Sequence, residues 1–236
     1  MSVSLRCYST SLGCPKNRVD TERLLGSLGV ALVPVESPDE AELVFINTCA
    51  FIQPATEESV RTIAQAIADI EELPKRPLLA VAGCLVGRYH AEDLAPELPE
   101  VDLWLDNSDL EAWPAMLARK LGLPEPTVPG RILSTGPSYA WLKISDGCRH
   151  ACSFCAIPNI RGGHRSHCKD MIVREARVLL DQGVKELNLV AQDLTEWGCD
   201  LDGKQDLRTL LDGLLPLQGL ERLRLMYLYP AGMTHE

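Results

Sequence analysis

The sequence lacks any apolar run that approaches the roughly 20 residues needed for a transmembrane helix, so we expect no membrane partner. Its first residues show neither a long apolar segment nor a cleavage pattern, so we also expect no signal peptide. No dense cluster of lysine and arginine is present, and the net charge is −10. Because nucleic-acid binders usually have a basic face, direct nucleic-acid binding is not expected. An acidic surface suits a basic protein partner instead.

Cysteine, by contrast, is abundant, with nine residues in a chain of 236. The odd count and the missing secretion pattern favour a reducing, cytoplasmic location over a disulfide framework. Cysteine at this abundance in a reducing compartment indicates metal binding. The other composition values, 46% hydrophobic and 24% charged residues, are those of a globular protein with an ample core.

Three cysteines form a C-x3-C-x2-C run, namely Cys148, Cys152 and Cys155. Three thiolates this close in sequence can occupy three corners of a 4Fe-4S cluster, which normally takes four. One iron would then lack a protein ligand and could hold a substrate, as the open position of a catalytic zinc site does. Spacing alone leaves two alternatives open. The run could be three unrelated core cysteines, or a zinc site closed by His150 or His164.

Residues 3–115 alternate strand and helix patterns, which predicts an α/β layer with a mainly parallel sheet. Thr56 is the expected cap of the second helix. The expected strands are 3–8, 43–46, 77–82 and 101–105, and the expected helices are 19–28, 56–70 and 109–121.

Three more cysteines, Cys14, Cys49 and Cys84, each follow one of these predicted strands. Parallel α/β sheets gather their ligand-binding loops beyond the carboxyl ends of the strands. The glycines directly before Cys14 and Cys84 would let the backbone approach a bulky ligand. The positions therefore predict a second three-thiolate metal site. The alternative is three buried cysteines that pack as small hydrophobic side chains.

The stretch 122–138 is rich in proline and glycine and predicts a linker between a domain of residues 1–121 and one of residues 139–236. The second domain has expected strands at 139–144, 184–190 and 223–228, with helices at 169–182 and 207–217. Gly183 is the expected stop of the first of these helices. Repeated strand–helix units whose loops carry the chemistry point to a β/α barrel. Since parallel edges are normally buried, three strands suggest a fragment, or half a barrel that a partner completes.

With both cysteine sets in hand, the whole chain resembles the methylthiotransferases. These are radical S-adenosylmethionine (SAM) enzymes that insert sulfur and then methylate it. The cysteine spacing with Phe154 before the last cysteine resembles the radical SAM superfamily as a whole. Four segments resemble the RimO branch of the family: Ser11-Leu-Gly-Cys-Pro-Lys-Asn17, Lys143-Ile-Ser-Asp-Gly-Cys148, Cys155-Ala-Ile-Pro-Asn-Ile-Arg-Gly162 and Ala191-Gln-Asp193. The tRNA-modifying branch typically has Gly-Cys-Gln-Met-Asn in place of the first segment.

The resemblance implies two 4Fe-4S clusters and SAM as cofactors. The cluster on Cys148, Cys152 and Cys155 would chelate SAM at its open iron and reduce it to release a 5′-deoxyadenosyl radical. Phe154 and Gln192 would belong to the cofactor site. The auxiliary cluster, which is thought to carry the sulfur to be transferred, would be held by Cys14, Cys49 and Cys84.

The implied reaction is β-methylthiolation of an aspartate of ribosomal small-subunit protein twelve, with a flavodoxin or ferredoxin as electron donor. The implied fold is an N-terminal parallel α/β domain followed by the first half of a radical SAM β/α partial barrel. From the resemblance we expect the rest of the barrel and the TRAM domain that relatives carry to be missing from this chain. Two alternatives stay open: a tRNA (adenosine) methylthiotransferase, which the acidic charge disfavours, and a non-catalytic iron–sulfur fragment, which would bind clusters without cleaving SAM.

The sequence also departs from the family pattern. Relatives commonly read Ser-Arg-Pro where this chain has Ser166-His167-Cys168, which predicts a weakened local ion pair. The cysteines at 7, 168 and 199 match no ligand position and are expected to be ordinary thiols. The histidines at 150, 164 and 167 are expected to be solvated loop residues rather than metal ligands.

Overall fold

The computed structural model describes residues 4–203 and 205–232. Val3, the expected start of the first strand, lies outside the described residues. The chain forms two compact units, of which the first ends at Ile132 and the second begins at Leu133. Among the residues described, no helix is both long enough and apolar enough to cross a membrane.

The first unit is built on a five-stranded sheet in which all neighbouring strands are parallel. Its spatial order, β2-β1-β3-β4-β5, is that of flavodoxin-like folds. The strands are β1 (Ser4–Ser11), β2 (Ala31–Pro34), β3 (Leu43–Thr48), β4 (Leu78–Gly83) and β5 (Leu103–Leu105). The helices are α1 (Pro15–Ser27), α2 (Gln53–Ile70), α3 (Cys84–Tyr89), α4 (Ala91–Leu94) and α5 (Trp113–Leu121). The predicted parallel α/β sheet is therefore confirmed.

Burial explains why the central strands form where they do. Every residue of β3 is buried, and β4 is buried from its second residue onward. Strands covered on both faces read as continuous apolar runs, which is the pattern that predicted them. The edge strand β2 was missed because it is short, mostly exposed and ends in Pro34, so it carries neither alternation nor a buried run.

Two helices begin earlier than the sequence pattern predicts. Helix α1 begins at Pro15 and α2 at Gln53, and each has a proline in its first two positions. Proline there has its φ angle preset for the helix and lacks only an N–H that would be unsatisfied anyway. Thr56 is therefore not the cap of α2. It lies inside the helix, and its hydroxyl donates to the Ile52 carbonyl at 3.4 Å.

The second unit alternates strands and helices, as the start of a β/α barrel does. Three parallel strands lie in the order β10-β9-β6, and a short antiparallel pair, β7 and β8, stands apart from them. Gly183 follows the cap of α7 with a φ of +94°, as expected for a helix stop. The strands are β6 (Tyr139–Lys143), β7 (Ser145–Asp146), β8 (Arg165–Ser166), β9 (Glu186–Val190) and β10 (Arg222–Leu225). The helices are α6 (Ile157–Arg161), α7 (Lys169–Asp181) and α8 (Leu207–Leu214).

Residues 130–132, within the stretch expected to be a linker, pack against α1. Arg131 donates to the Glu22 carboxylate from Nε at 2.9 Å and from Nη2 at 2.6 Å. The two side chains are only 3% and 2% exposed. Next to them, the Ile132 N–H donates to the Glu22 carbonyl at 3.1 Å. This segment is thus fixed to the first unit by a buried ion pair.

We expect replacement of Arg131 by leucine to lower the free energy of unfolding of the first unit by about 3–5 kcal/mol, because a buried carboxylate loses its arginine. Arg6→Leu is the matched control. Its pair with Glu42 is 51% and 34% exposed, and such pairs contribute about 0–1 kcal/mol. Hydrogen exchange of β3 and β4 under increasing denaturant measures both changes. Equal losses for the two variants would contradict a stabilising role of the buried pair.

Candidate metal centres

The first candidate site lies at the carboxyl edge of the first sheet. Ser11 of β1 pairs with Asn47 of β3, and Thr48 of β3 pairs with Gly83 of β4, so the three strands end at nearly the same level. The cysteines predicted as ligands follow directly: Cys14 precedes α1, Cys49 follows β3, and Cys84 begins α3. The strand order reverses between β1 and β3, and open α/β sheets bind ligands at such a point. The structure therefore brings the three predicted cysteines to one edge of the sheet.

Asn17 connects the loops that carry these cysteines. Its Nδ2 donates to the Leu12 carbonyl at 2.9 Å and to the Thr48 carbonyl at 2.7 Å. The Cys84 Sγ lies 3.7 Å from Asn17 Oδ1 and donates to it. Asn17 is fully buried, and Asn47 Nδ2 in turn donates to its carbonyl at 2.9 Å. Sequence reasoning did not single out Asn17, although it belongs to the Pro-Lys-Asn segment that carried the family resemblance.

Two glycines allow the loops to approach one another. Gly13 has a φ of +81°, and a Cβ there would lie 2.7 Å from Cys49 Sγ. Gly83 has a φ of +97°, and a Cβ there would collide with Asn47 Oδ1 and the Thr48 carbonyl. These glycines were predicted to admit a ligand. The structure shows that they also admit the neighbouring loop, which brings Cys14 and Cys84 towards β3.

The chemistry of this donor set fits an iron–sulfur cluster. Thiolates are the soft ligands that iron–sulfur clusters use. Cys14 caps the N-terminus of α1, where the helix dipole favours a negative charge. Ser59 of α2 holds the Cys49 backbone, accepting from its N–H at 3.0 Å and donating to its carbonyl at 2.7 Å. Cys14 and Cys49 are half-buried, and Cys84 is buried.

The second candidate site is the cysteine loop of the second unit. The Cys148 N–H donates to the Gly162 carbonyl at 3.2 Å, and the Cys155 N–H donates to the Cys152 carbonyl at 3.1 Å. Burial raises the pKa of the Cys148 thiol, and the nearby Cys155, Asp193 and Cys152 raise it further. A charge on either neighbouring cysteine thus disfavours the thiolate form of Cys148. A bound cation reverses that preference, because a coordinating thiol is deprotonated.

The two other predicted site residues of this unit lie in different surroundings. Gln192 is half-buried and comes shortly after β9. Because Lys143 pairs with Val190, this position is at the same end of the sheet as the cysteine loop. Phe154 lies within that loop and is 87% exposed. The roles of both as cofactor contacts stay predictions.

A buried charged cluster supports the base of the cysteine loop. Asp146 lies between Lys143 Nζ at 2.8 Å and Arg161 Nη1 at 2.9 Å, with His167 Nε2 at 3.3 Å. Burial raises the pKa of Asp146, but Lys143, His167 and Arg161 together hold it well below its usual range. Gly147, which follows, has a φ of +66°, and a Cβ there would collide with the Gly163 carbonyl. The charged cluster around Asp146 and the close approach of Gly147 to Gly163 both fix the cysteine loop where it leaves the sheet.

The expectations for the three loop histidines are largely wrong. His167, which stands where relatives commonly have arginine, still contacts the Asp146 carboxylate, and its Nδ1 lies 3.1 Å from the Lys143 carbonyl. His164 has a side chain only 4% exposed, with Nε2 3.0 Å from Ser166 Oγ. The partners of His167 lie 21 and 24 positions away in sequence, which the local pattern does not reveal.

His150 links the cysteine loop to the end of β9. Its Nε2 lies 2.8 Å from Asp193 Oδ2, and its ring packs against Tyr229 at a centroid distance of 5.1 Å. Asp193 also accepts from the Thr195 N–H at 2.9 Å and from the Thr195 hydroxyl at 2.6 Å. Although burial raises the pKa of Asp193, these hydrogen bonds from Thr195 and His150 lower it overall. A charged carboxylate therefore anchors the loop.

Comparisons with solved structures support the fold. One similar chain is the radical S-adenosylmethionine methyltransferase TsrM from Kitasatospora setae, solved with cobalamin and a [4Fe-4S] cluster bound. It is 11% identical with a TM-score of 0.50, over 83% of this chain and 50% of that one. Another is the cobalamin-dependent S-adenosylmethionine radical enzyme OxsB with aqua-cobalamin bound. It is 14% identical with a TM-score of 0.54, over 94% of this chain and 38% of that one. At these identities the likeness concerns the fold alone.

Sequence comparisons give the family. Residues 6–106 match the family described as "Uncharacterized protein family UPF0004". The chain is 69% identical over 229 residues to the ribosomal protein uS12 methylthiotransferase RimO of Nitratidesulfovibrio vulgaris strain DP4, covering 97% of this chain and 53% of that protein. It is 59% identical to the protein of the same name from Lawsonia intracellularis, covering 100% and 54%. The chain thus spans about half the length of the curated relatives it matches. It belongs to the RimO branch of the methylthiotransferase family.

Proposed function

We propose that this chain is the cluster-binding part of a radical SAM methylthiotransferase that modifies an aspartate side chain of ribosomal protein uS12. The observation that carries the proposal is the presence of two cysteine triads, each in loops beyond the carboxyl ends of parallel strands. The similarity to RimO proteins over nearly the whole chain supports it. The net charge of −10 suits a basic ribosomal protein as substrate.

The second unit would hold the SAM-cleaving cluster on Cys148, Cys152 and Cys155. When bound, this cluster supplies an electron for SAM cleavage and an iron without a protein ligand for SAM itself. The residues around it then have positioning roles. His150 connects the cysteine loop to Asp193. The cationic side chains around Asp146 fix the start of the same loop. Gln192 at the strand end and the exposed Phe154 are available to contact the cofactor.

The first unit would hold the auxiliary 4Fe-4S cluster on Cys14, Cys49 and Cys84, which supplies the site of the transferred sulfur. Asn17 orients the loops of this set through its contacts with the Leu12 and Thr48 carbonyls. A second SAM molecule would donate the methyl group, and a flavodoxin or ferredoxin would deliver the electron. We place the reaction in the cytoplasm, where a reducing environment keeps the cysteines as thiols.

Iron and acid-labile sulfide per chain after anaerobic reconstitution test the two-cluster proposal. We expect about eight of each for the unchanged chain, since each cluster contains four. Cys152→Ala and Cys49→Ala should each retain about four, because each removes a ligand from one site only. Cys168→Ala is the matched control: it removes an exposed cysteine outside both triads and should retain the full amount. Loss of both clusters from either single ligand change would contradict the division into two sites.

Replacement of Gly147 by alanine should weaken the cluster of the second unit. The left-handed conformation costs about 1–2 kcal/mol for alanine, and the added Cβ would also collide with the Gly163 carbonyl, which displaces the loop before Cys148. Gly183→Ala is the control, because Gly183 also has a positive φ, +94°, but no atom lies within 4 Å of a Cβ there. Iron content should fall for Gly147→Ala and not for Gly183→Ala. An equal iron content in both variants would show that the collision does not reach the site.

A further inference from the structure

A third set of ligand-type side chains lies outside both cysteine triads. His164 Nε2, Cys199 Sγ and an Asp200 carboxylate oxygen all lie within 4.8 Å of one another. His164 directly precedes β8, while Cys199 and Asp200 belong to a loop that follows β9. The set therefore joins two segments that are distant in sequence. Cys199 was expected to be an ordinary thiol, and the family resemblance gives it no role.

The spacing of the three ligand atoms suits a single small cation. His164 Nε2 lies 3.5 Å from Asp200 Oδ1, which is long for a hydrogen bond. A tetrahedral zinc ion with bonds of about 2.0–2.3 Å to nitrogen, oxygen and sulfur separates its ligand atoms by about 3.3–3.6 Å. The histidine and the aspartate thus already stand at the separation that the ion requires.

Ser166 contacts two members of the set, His164 and Asp200. Its N–H donates to Asp200 Oδ2 at 2.8 Å, and its Oγ accepts from the Gly198 N–H at 2.9 Å. The same Oγ lies 3.0 Å from His164 Nε2. The contacts of Ser166 with Asp200 and Gly198 are outer-shell contacts of the kind that orient the ligands of protein metal sites.

The three side chains of the set differ in burial, so that the site has a buried side and an open side. The His164 side chain is only 4% exposed, whereas Cys199 and Asp200 are exposed and form the open side. One nitrogen, one sulfur and one carboxylate oxygen form a mixed set of the borderline-soft kind that zinc accepts.

We propose that His164, Cys199 and Asp200 form a Zn²⁺ site with a fourth position open to water. Zinc would bind His164 Nε2, Cys199 Sγ and Asp200 Oδ1, replace the contact of His164 with Ser166, and release the proton of any Cys199 thiol still protonated. The bound ion would join the segment before β8 to the loop after β9. This site is independent of the two clusters and of the reaction they would support.

Zinc retained by the reconstituted chain tests the site. The chain with its clusters is incubated with Zn²⁺, freed of excess metal, and analysed for zinc, iron and sulfide. We expect the unchanged chain to retain one zinc per molecule more than Cys199→Ala, with equal iron in both. His164→Gln and Asp200→Asn should each weaken zinc binding at least tenfold, since even outer-shell changes cost about 10–100-fold. The zinc X-ray absorption spectrum should show one sulfur ligand among nitrogen and oxygen ligands.

Cys168→Ala serves as the control, because Cys168 is also exposed but lies outside this set. It should retain zinc as the unchanged chain does. Equal zinc in the unchanged chain and in Cys199→Ala would overturn the proposal. So would a zinc spectrum with sulfur ligands only, because the metal would then occupy a cysteine triad. The iron and sulfide values report separately on the two clusters, so failure of one proposal does not imply failure of the other.

Discussion

Parallel pairing in register is the constraint on which both candidate sites depend. Because β1, β3 and β4 run in the same direction and are aligned at Asn47 and Thr48, the loops that follow them open at a single edge. The same rule aligns β6 with β9 in the second unit, at Lys143 and Val190. Residues that are far apart in sequence, such as Cys14, Cys49 and Cys84, come to one edge in this way. The direction of the strands therefore determines where the functional loops lie, and the side chains on those loops determine the chemistry.

The two cysteine triads use this constraint in different ways. The triad of the first unit comes from three separate loops, so its geometry requires the whole sheet together with the buried amide of Asn17. The triad of the second unit comes from one short loop and needs little beyond a fixed start and an anchor. The ion pair of Asp146 with Lys143 fixes the start of the loop. The contact between His150 and Asp193 anchors the loop further along. Damage to the fold should therefore affect the first site more than the second.

Much of the fold and of both cysteine sites could be predicted because the signals are local. Buried strands such as β3 are continuous apolar runs, and each site cysteine follows such a run or belongs to a compact spacing pattern. The contacts that the sequence did not predict join distant partners. Asn17 contacts Thr48, 31 positions away, and His150 contacts Asp193, 43 positions away. Neither periodicity nor composition carries that information. The early helix starts at Pro15 and Gln53 were missed for another reason, since their apolar periodicity begins only after the first turn.

The central claim is that one triad binds a cluster that takes SAM while the other binds a separate cluster that does not. Mössbauer spectra of the reconstituted protein, recorded with and without SAM, test this most directly. We predict that SAM changes the signal of one iron site in one cluster and leaves the other cluster unchanged. The change should persist in Cys49→Ala and vanish in Cys152→Ala. A SAM-dependent change that survives Cys152→Ala, or no change in a protein that contains both clusters, would contradict the claim.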